Sequence, residues 1–241
     1  MDTKTARRLN DLNTRFYSRV HDSFSATRQA PWPGWKRVRN AALEAGAIDN
    51  EHRFHVLDLA CGNLRFERYL ASCNMCFEAW CADNCPELAP TDKPAYARLQ
   101  NLDVVEALLC EEDLARTIDA PSCDLCVCFG FMHHLAMPEH RKLVLHALLS
   151  KAHPGGVVAV SFWRFAKSPR IMAKAKRLED PGDYLLGWQD EAEARRYCHS
   201  FSEGEIDELA ASTEKNAREI DRFSADGRSG DLNRYLVLQR L

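Results

Sequence analysis

The sequence lacks every segment that would place the chain in a membrane or on a secretory route. No stretch of its 241 residues approaches the run of about 18 apolar residues that a spanning helix needs. The first residues, MDTKTARRLND, contain no apolar run of the kind found in a secretory signal. We therefore expect a cytoplasmic protein with no membrane association.

The chain also lacks a strong net charge, which argues against a protein that binds nucleic acid with its whole surface. Its formal net charge is −3, from 32 basic and 35 acidic residues. The charges are uneven, since residues 1–40 carry nine Lys or Arg and three Asp, and residues 164–177 carry six Lys or Arg and no acid. These segments are either solvated helix faces or basic patches beside a site for an anionic substrate.

Ten cysteines are present, but they are not spaced like a disulfide framework. Four lie in apolar, strand-like runs, where cysteine acts as a small hydrophobe: Cys61, Cys81, Cys126 and Cys128. A reducing compartment fits this usage. Another set has a spacing that raises the question of zinc: Cys73, Cys76, Cys81 and Cys85. A helix end followed by a buried strand would scatter these thiols on different faces, and we predict no metal site.

Glycine is scarce in the turn where an α/β protein would bind a nucleotide. Residues 56–67 (VLDLACGNLRFE) read as a strand, a turn and the start of a helix, and Gly62 is their only glycine. A dinucleotide site needs G-x-G-x-x-G, and a P-loop needs G-x-x-x-x-G-K-[ST]. The segment supplies neither, which disfavours a nicotinamide-dependent dehydrogenase.

Strand and helix patterns alternate along the chain. Strands are predicted at 54–60, 77–82, 95–100, 123–130, 157–163, 218–223 and 235–239. Helices are predicted at 5–20, from 35 to about 45, and at 65–72, 104–116, 138–152 and 203–212, the last opened by a capping box. This alternation predicts a Rossmann-like, doubly wound α/β sheet, mostly parallel, with helices on both faces. We expect one domain, with residues 1–50 as a helical lid or extension and 51–241 as the core.

Asp58 lies near the end of the first predicted strand, two residues before the small residues Ala60, Cys61, Gly62 and Asn63. In an open α/β sheet, ligands bind outside the carboxyl ends of strands, at such turns. A carboxylate there repels a pyrophosphate but pairs with an ammonium group, and S-adenosylmethionine (SAM) carries an ammonium and a sulfonium cation. Small residues let the backbone approach the methionine and ribose parts of that molecule. The turn therefore predicts a SAM site.

Carboxylates also follow the next two predicted strands. Asp83, 25 residues after Asp58, is predicted to bind the ribose hydroxyls, the alternative being that it only caps a turn. Asp103 is predicted either to accept a hydrogen bond from the adenine amino group or to cap the following helix. Neighbouring residues and the end of the fourth strand complete the predicted cofactor site: Asn84, Leu102, Phe129 and Gly130.

His133 and His134 are predicted to lie near the transferred methyl group, and Arg28 is the third predicted catalytic residue. Either histidine is a candidate base for a hydroxyl acceptor, or the two are a packed pair at the start of a helix. Arg28 is predicted to pair with a carboxylate of SAM or of the substrate, or to be a surface arginine. No G-x-S-x-G or H-E-x-x-H motif is present, so we expect catalysis to depend mainly on proximity.

Residues 57–62 (LDLACG) are similar to the D-x-G-C-G motif of the class I SAM-dependent methyltransferases, with Ala60 in place of the first glycine and Leu64 in place of a later one. The resemblance implies a seven-stranded sheet whose last strand is antiparallel, and SAM as the cofactor with S-adenosylhomocysteine (SAH) as its product. Leu64 is expected to narrow the cofactor pocket, which leaves a non-catalytic SAM-binding module as an alternative.

Further segments resemble a narrower group, the tRNA wobble-uridine carboxymethyl methyltransferases. They are residues 24–28 (FSATR), 32–33 (WP), 133–135 (HHL), 154–156 (PGG), 163 (W), 196–205 (RYCHSFSEGE) and 233–235 (NRY). This resemblance implies a tRNA acceptor, a carboxylate nucleophile that needs no general base, and a small activator subunit as in eukaryotic relatives. A glutamine expected shortly after Trp163 is absent. A small-molecule O- or N-methyltransferase of the same fold is the alternative.

Overall fold

The structure is a computed structural model, and it describes residues 1–189 and 191–241. The helices are α1 (Thr3–Ala26), α2 (Pro33–Glu44), α3 (Arg65–Ser72), α4 (Val104–Leu109), α5 (Leu114–Thr117), α6 (Pro138–Lys151), α7 (Pro169–Met172) and α8 (Glu203–Ala211). The strands are β1 (Phe54–Leu59), β2 (Phe77–Asp83), β3 (Ala97–Asn101), β4 (Cys123–Cys128), β5 (Ala152–Trp163), β6 (Ala175–Arg177), β7 (Asp183–Trp188), β8 (Glu191–His199), β9 (Ala217–Ala225) and β10 (Asn233–Arg240).

Seven strands form the main sheet, in the order β3-β2-β1-β4-β5-β10-β9. Strands β1 to β5 are parallel, and β10 runs antiparallel to both β5 and β9. This confirms the predicted sheet with its antiparallel last strand. The chain moves outward from β1 to β3 and then returns to place β4 on the other side of β1. Ligands bind at such a switch point in open α/β sheets.

Side chains of the central strands alternate between two apolar layers. On β4, Leu125 and Val127 pack on one face of the sheet, while Cys126 and Cys128 pack on the other. Helices α2 and α3 cover the first face, and α4, α5, α6 and α8 cover the second. The central strands are therefore buried on both faces, as their nearly continuous apolar sequences predict.

The single helix predicted at 104–116 is wrong. Helix α4 ends at Leu109, Glu111 has a φ of 58°, and α5 begins only at Leu114. The Asp113 side chain accepts a hydrogen bond from the Arg116 backbone N–H and so starts a new helical turn. A short polar side chain that bonds the local backbone competes with helix continuation, which a hydrophobic period does not show.

A second, three-stranded antiparallel sheet, β6-β7-β8, was not predicted. It packs against α1, where Trp188 lies 6.2 Å from the Phe16 ring and donates a hydrogen bond to Ser23 Oγ at 2.9 Å. On β8, Ala194, Arg196 and Cys198 are all buried. A buried arginine at the middle position breaks the alternation of apolar and polar residues by which a strand is recognised.

We find no helix in the two described stretches of chain with the length and apolar content that would let it cross a membrane.

Candidate functional site

A cavity of about 730 Å³ lies at the carboxyl ends of β1, β2 and β4. Every residue predicted as a site residue lines it: Arg28, Asp58, Ala60, Cys61, Gly62, Asn63, Asp83, Asn84, Leu102, Asp103, Phe129, Gly130, His133 and His134. The structure brings these residues together, because parallel strands present their carboxyl ends at one edge of the sheet. Helix α1, which lies in the predicted lid or extension, supplies a further wall, as does strand β8, which the sequence did not assign to the site.

The turn after β1 has an unusual backbone. Ala60, Gly62 and Leu64 all have positive φ values, of 64°, 55° and 56°. The Gly62 N–H donates a hydrogen bond to Asp83 Oδ2 at 2.8 Å, which ties the turn to the end of β2. A Cβ atom added at Gly62 would meet nothing within 4 Å. The backbone here is thus open to the cavity, and left-handed non-glycine residues are concentrated at functional sites.

Leu64 does not narrow this cavity, contrary to the expectation from sequence. Its side chain is fully buried in the apolar layer that contains Trp35, Phe66 and Leu70, and it is not among the cavity-lining residues. Leu64 has a left-handed backbone, and its side chain lies in the core.

Asp58 and Glu67 form a buried pair of carboxyl groups beneath the turn. Asp58 Oδ1 and Glu67 Oε2 have no separate donor in the described chain, and the two carboxyl groups hydrogen-bond to each other. Burial, followed by the nearby Glu67 carboxyl, raises the pKa of Asp58 well above its usual range, and burial also raises the pKa of Glu67. These shifts favour a proton shared by the pair, and a cation placed beside Asp58 would favour its ionised form.

Asp83 sits at the end of β2, opposite the turn. Its Oδ1 accepts a hydrogen bond from the Cys85 N–H at 2.9 Å, and its Oδ2 accepts the bond from Gly62. Burial raises the pKa of Asp83, with Asp103 adding to the effect. The bond to Cys85 is the predicted turn cap. Each carboxylate oxygen has two lone pairs, so both oxygens of Asp83 keep capacity for a ligand.

Asp103 caps α4, which confirms the capping alternative. Its Oδ1 accepts from the Glu106 N–H at 2.9 Å, and its Oδ2 accepts from the side-chain amides of Asn10 and Asn84 at 2.9 and 3.0 Å. Leu102 precedes it and donates its N–H to the Asp83 carbonyl. Three donors thus occupy most of the Asp103 carboxylate, and contact with an adenine amino group stays a prediction.

The end of β4 meets an aromatic wall. Gly130 has a φ of 74°, and its N–H donates to Ser161 Oγ at 3.0 Å. A Cβ atom there would lie 3.1 Å from the Trp32 ring, so Trp32 packs directly over Gly130. Phe129 contacts the Trp35 ring at a centroid distance of 5.9 Å. The tryptophans preceding and opening α2 thus close one side of the cavity.

The two histidines are both buried, but they differ in what they contact. His134 Nε2 lies 2.8 Å from the Tyr17 hydroxyl and Nδ1 lies 2.9 Å from the Tyr197 carbonyl, so both ring nitrogens are occupied. Burial lowers the pKa of His134 to about 3. His133 Nδ1 has no partner in the described chain, and burial lowers the pKa of His133 well below its usual range. Both rings are neutral at pH 7, and of the two only His133 has a ring nitrogen without a partner in the described chain.

Arginines and aromatic rings line the wall of the cavity formed by α1 and β8. The Arg28 guanidinium lies 3.6 Å from the Phe24 ring centroid and 5.1 Å from that of Trp188. Burial lowers the pKa of Arg28 to about 10, which leaves the side chain charged at neutral pH. Arg196 lies on the same wall, 5.6 Å from the Trp188 ring. In the sequence, Arg196 belongs to the segment 196–205 that resembles the narrower methyltransferase group, and nothing there indicates that its side chain lines the cavity.

Within the described residues, the structure shows whether the four cysteines with a zinc-like spacing lie close together. Cys73, Cys76, Cys81 and Cys85 do not come together as a metal-ligand group, whereas His133, His134 and Cys198 have ligand atoms within 4.8 Å of one another. This second group is poorly suited to a metal, because His134 has no free nitrogen and burial raises the pKa of the Cys198 thiol to about 11.

The two basic segments differ in the structure. In residues 1–40, Arg7 pairs with Glu106, Arg37 pairs with Asp221, and Arg19 pairs with two glutamates of β8. In the second segment, Arg164 pairs with Glu203, but five basic side chains are exposed and have no ion pair within the described chain: Lys167, Arg170, Lys174, Lys176 and Arg177. Arg170 also lines the cavity, so this basic surface adjoins its mouth.

Comparisons with known proteins agree on the fold. No family model matches the chain. It is 26% identical over 173 residues to the tRNA (carboxymethyluridine(34)-5-O)-methyltransferase ALKBH8 of Macaca fascicularis, covering 67% of this chain and 21% of that protein. The chain thus spans about a fifth of the length of this relative.

Solved structures are similar over nearly the whole chain. A SAM-dependent methyltransferase from Clostridium acetobutylicum superposes with a TM-score of 0.60 at 12% identity, covering 92% of this chain and 97% of the other. Magnesium protoporphyrin IX methyltransferase from Synechocystis superposes with a TM-score of 0.57 at 13% identity, covering 100% and 98%. The chain has the fold of the class I SAM-dependent methyltransferases.

Proposed function

We propose that this protein is a SAM-dependent methyltransferase. The observation that carries the proposal is the placement of Asp58 and Asp83 at the ends of adjacent parallel strands, on one cavity, around the open backbone of Gly62. Two carboxylates at this place suit a ligand that has a cation and a diol, and they oppose a phosphate. The fold and the similarity to ALKBH8 support the same activity.

The residues at the site fit SAM. Asp58 lines the cavity and, once ionised beside a cation, offers an acceptor to an ammonium group, while residues 60–63 offer backbone to the methionine portion. Asp83 and Asn84 would hold the ribose, while Leu102, Asp103, Phe129 and Gly130 would surround the rest of the nucleoside. Bound SAM would supply a methyl group already activated by its sulfonium.

The cavity favours an acceptor that needs no general base. His133 is the one predicted base with a free nitrogen, but a pKa lowered by burial makes it a weak proton acceptor. Arg28 and Arg196 instead favour an acceptor that is anionic at neutral pH. A carboxylate meets both conditions. The protein's part is then to hold that carboxylate in line with the methyl group.

We propose a carboxymethyl group on a tRNA wobble uridine as the acceptor. The similarity to ALKBH8 supports this choice, and the exposed basic surface from Lys167 to Arg177 beside the cavity supports an acceptor with a phosphate backbone. Residues 1–50, whose helices α1 and α2 wall the cavity, would act as the lid. A cytoplasmic location and a small activator subunit are part of the same proposal.

The test is methyl transfer from labelled SAM to bulk tRNA that lacks the modification, compared with a panel of small carboxylic acids. We expect labelling of tRNA, salt-dependent tRNA binding, and SAH binding by calorimetry. Absence of SAH binding at millimolar concentration would contradict the enzyme itself. SAH binding with no tRNA labelling would contradict only the acceptor.

One observation favours a second candidate, a small-molecule O- or N-methyltransferase. His133 lines the cavity and its ring makes no hydrogen bond within the described chain, so it could accept a proton from a hydroxyl or amine. Labelling of a neutral small acceptor, lost in His133→Phe, would support it. The non-catalytic module loses its main support, because Leu64 does not enter the cavity.

A further inference from the structure

Arg196 is a buried arginine on the wall of the cavity. Only 5% of the residue is exposed, and its Nε and Nη1 atoms have no hydrogen-bond partner in the described chain. A buried charge is strongly unfavourable unless it is paired, and orphaned buried donors are rare in folded proteins. A group of this kind at a ligand cavity points to a partner that arrives with the ligand.

The surroundings of Arg196 fix its guanidinium without neutralising it. Its Cζ lies 4.7 Å from the Phe16 ring, 5.6 Å from that of Trp188 and 5.8 Å from that of Trp163. Stacking on aromatic faces orients a planar guanidinium and leaves its edge donors available. The side chain is thus held in place for an incoming acceptor of hydrogen bonds.

Within the described chain, the titratable groups that interact with Arg196 are neutral or positive at pH 7. Burial raises the pKa of Tyr17 to about 12 and that of Cys198 to about 11, and it lowers the pKa of His134 to about 3. Arg28 is a second cation on the same wall. Among the described residues, no carboxylate forms an ion pair with Arg196 under 4.0 Å. An anion is the ligand class that this wall would bind.

We propose that Arg196 binds the carboxylate of the methyl acceptor, an inference that rests on the proposed function. The fork of the guanidinium donates two hydrogen bonds to a carboxylate and leaves other lone pairs on its oxygens for reaction. One carboxylate oxygen then forms a bond to the methyl carbon, while the carbon–sulfur bond breaks with its electron pair on sulfur. No proton is transferred, and the acceptor loses its charge as it becomes an ester.

The test compares two anticodon stem-loop RNAs that differ at one nucleotide, carboxymethyluridine in one and its uncharged isostere carbamoylmethyluridine in the other. Both are titrated against the SAH-saturated protein. The wild-type protein is expected to prefer the carboxylate RNA by at least about thirtyfold. Arg196→Met is expected to lose that preference with its SAH affinity unchanged. Arg218→Met, an exposed arginine at the opposite end of the sheet, is the matched control and keeps the preference.

Three results would overturn the proposal. They are an unchanged preference in Arg196→Met, no preference in the wild-type protein, and a loss of SAH affinity in Arg196→Met equal to its loss for the RNA, which would assign Arg196 to the cofactor. If Arg196→Met does not fold, Arg196→Lys and Arg196→Gln decide: the lysine variant should keep part of the preference and the glutamine variant none. Failure of the wild-type protein to bind SAH would instead overturn the proposed function.

Discussion

Replacing Leu64 by glycine restores the residue expected at this position of the motif, and we predict that it harms the protein. Leu64 is fully buried in one apolar layer, and its backbone is left-handed with a φ of 56°. The substitution removes the buried side chain and relieves the backbone. The two effects on the free energy of unfolding oppose each other, so their relative sizes decide whether the variant is more or less stable.

Removing a buried leucine side chain destabilises a protein by about 2–5 kcal/mol. Replacing a left-handed non-glycine residue by glycine stabilises the folded state by roughly 1–2 kcal/mol. The greater freedom of glycine in the unfolded chain offsets about 0.4–1 kcal/mol of this gain. The net change is a loss of about 0.4–5 kcal/mol. In a chain of 150–250 residues this lowers the Tm by roughly 2–4 °C per kcal/mol, so we expect a fall of about 1–20 °C for Leu64→Gly.

The assay is thermal unfolding followed by circular dichroism, paired with calorimetric titration of SAH at a temperature where both proteins are folded. The expected SAH affinity is unchanged, because Leu64 does not line the cavity. Ala60→Gly is the matched control: Ala60 has a φ of 64° but only a methyl group to lose, so its Tm should change little. A stabilised Leu64→Gly variant with tighter SAH binding would refute the placement of this side chain.

Three further predictions concern cofactor, RNA and pH. Asp83→Ala should weaken SAH binding at least about tenfold in calorimetry, because the ribose loses its charged acceptor. Alanine at both Lys174 and Lys176 should lower the slope of log K against log salt for tRNA binding by about two, without changing SAH affinity. The buried His199 forms a network with Asp183 and Glu205. Its contribution to the free energy of unfolding, measured in urea, should be greatest between about pH 4.5 and 6.5 and should fall above and below that range. Burial alone would lower the pKa of His199, but hydrogen bonds to Asp183 and Glu205 raise it overall.

The direction of each pH effect follows from the shifts in the pKa values of His199 and Glu205. A raised pKa in the folded state stabilises the protein below the unfolded value for histidine, and the effect is lost as the pH rises through the folded value. Burial alone would raise the pKa of Glu205, but hydrogen bonds to His199 and Ser202 together lower it to about 2, so its contribution is lost as the pH falls from about 4.5 toward that value. His199→Gln should flatten the alkaline limb, and an unchanged profile would contradict the assignment.

Controls for the other two predictions use residues of the same type. Lys142→Ala, an exposed lysine of α6 outside the basic segment, should leave the salt slope unchanged. An equal drop for Lys142→Ala would mean that the RNA contacts are not localised at Lys174 and Lys176. An unchanged SAH affinity in Asp83→Ala would remove Asp83 from the ribose site.

The cofactor side of the cavity could be predicted from sequence because its residues follow consecutive strands. Apolar runs locate β1, β2 and β4, and the carboxyl ends of parallel strands converge by topology. Asp58, Asp83 and Gly130 therefore come together without any knowledge of side-chain packing. The expectation that the Leu64 side chain narrows the cavity is wrong, because a sequence motif does not reveal the backbone conformation of a turn.

The other wall depends on contacts between distant parts of the chain. Tyr17 reaches His134 from 117 positions away, and Asn13 accepts a hydrogen bond from the Tyr197 N–H across 184 positions. The basic excess of residues 1–40 is likewise reduced by long-range pairs such as Arg7 with Glu106. No local period encodes such pairings.

The cavity separates its charges, with Asp58 and Asp83 at the strand ends and Arg28 and Arg196 on the wall of α1 and β8. A neutral acceptor would gain nothing from the cationic wall, whereas a carboxylate acceptor would be held until it becomes an ester. We therefore expect a stem-loop RNA that carries the methyl ester to bind with the affinity of the carbamoylmethyl RNA rather than that of the acid. The three RNAs can be compared in one titration series with SAH-saturated protein. Equal affinity for the ester and the acid would show that charge is not what this wall recognises.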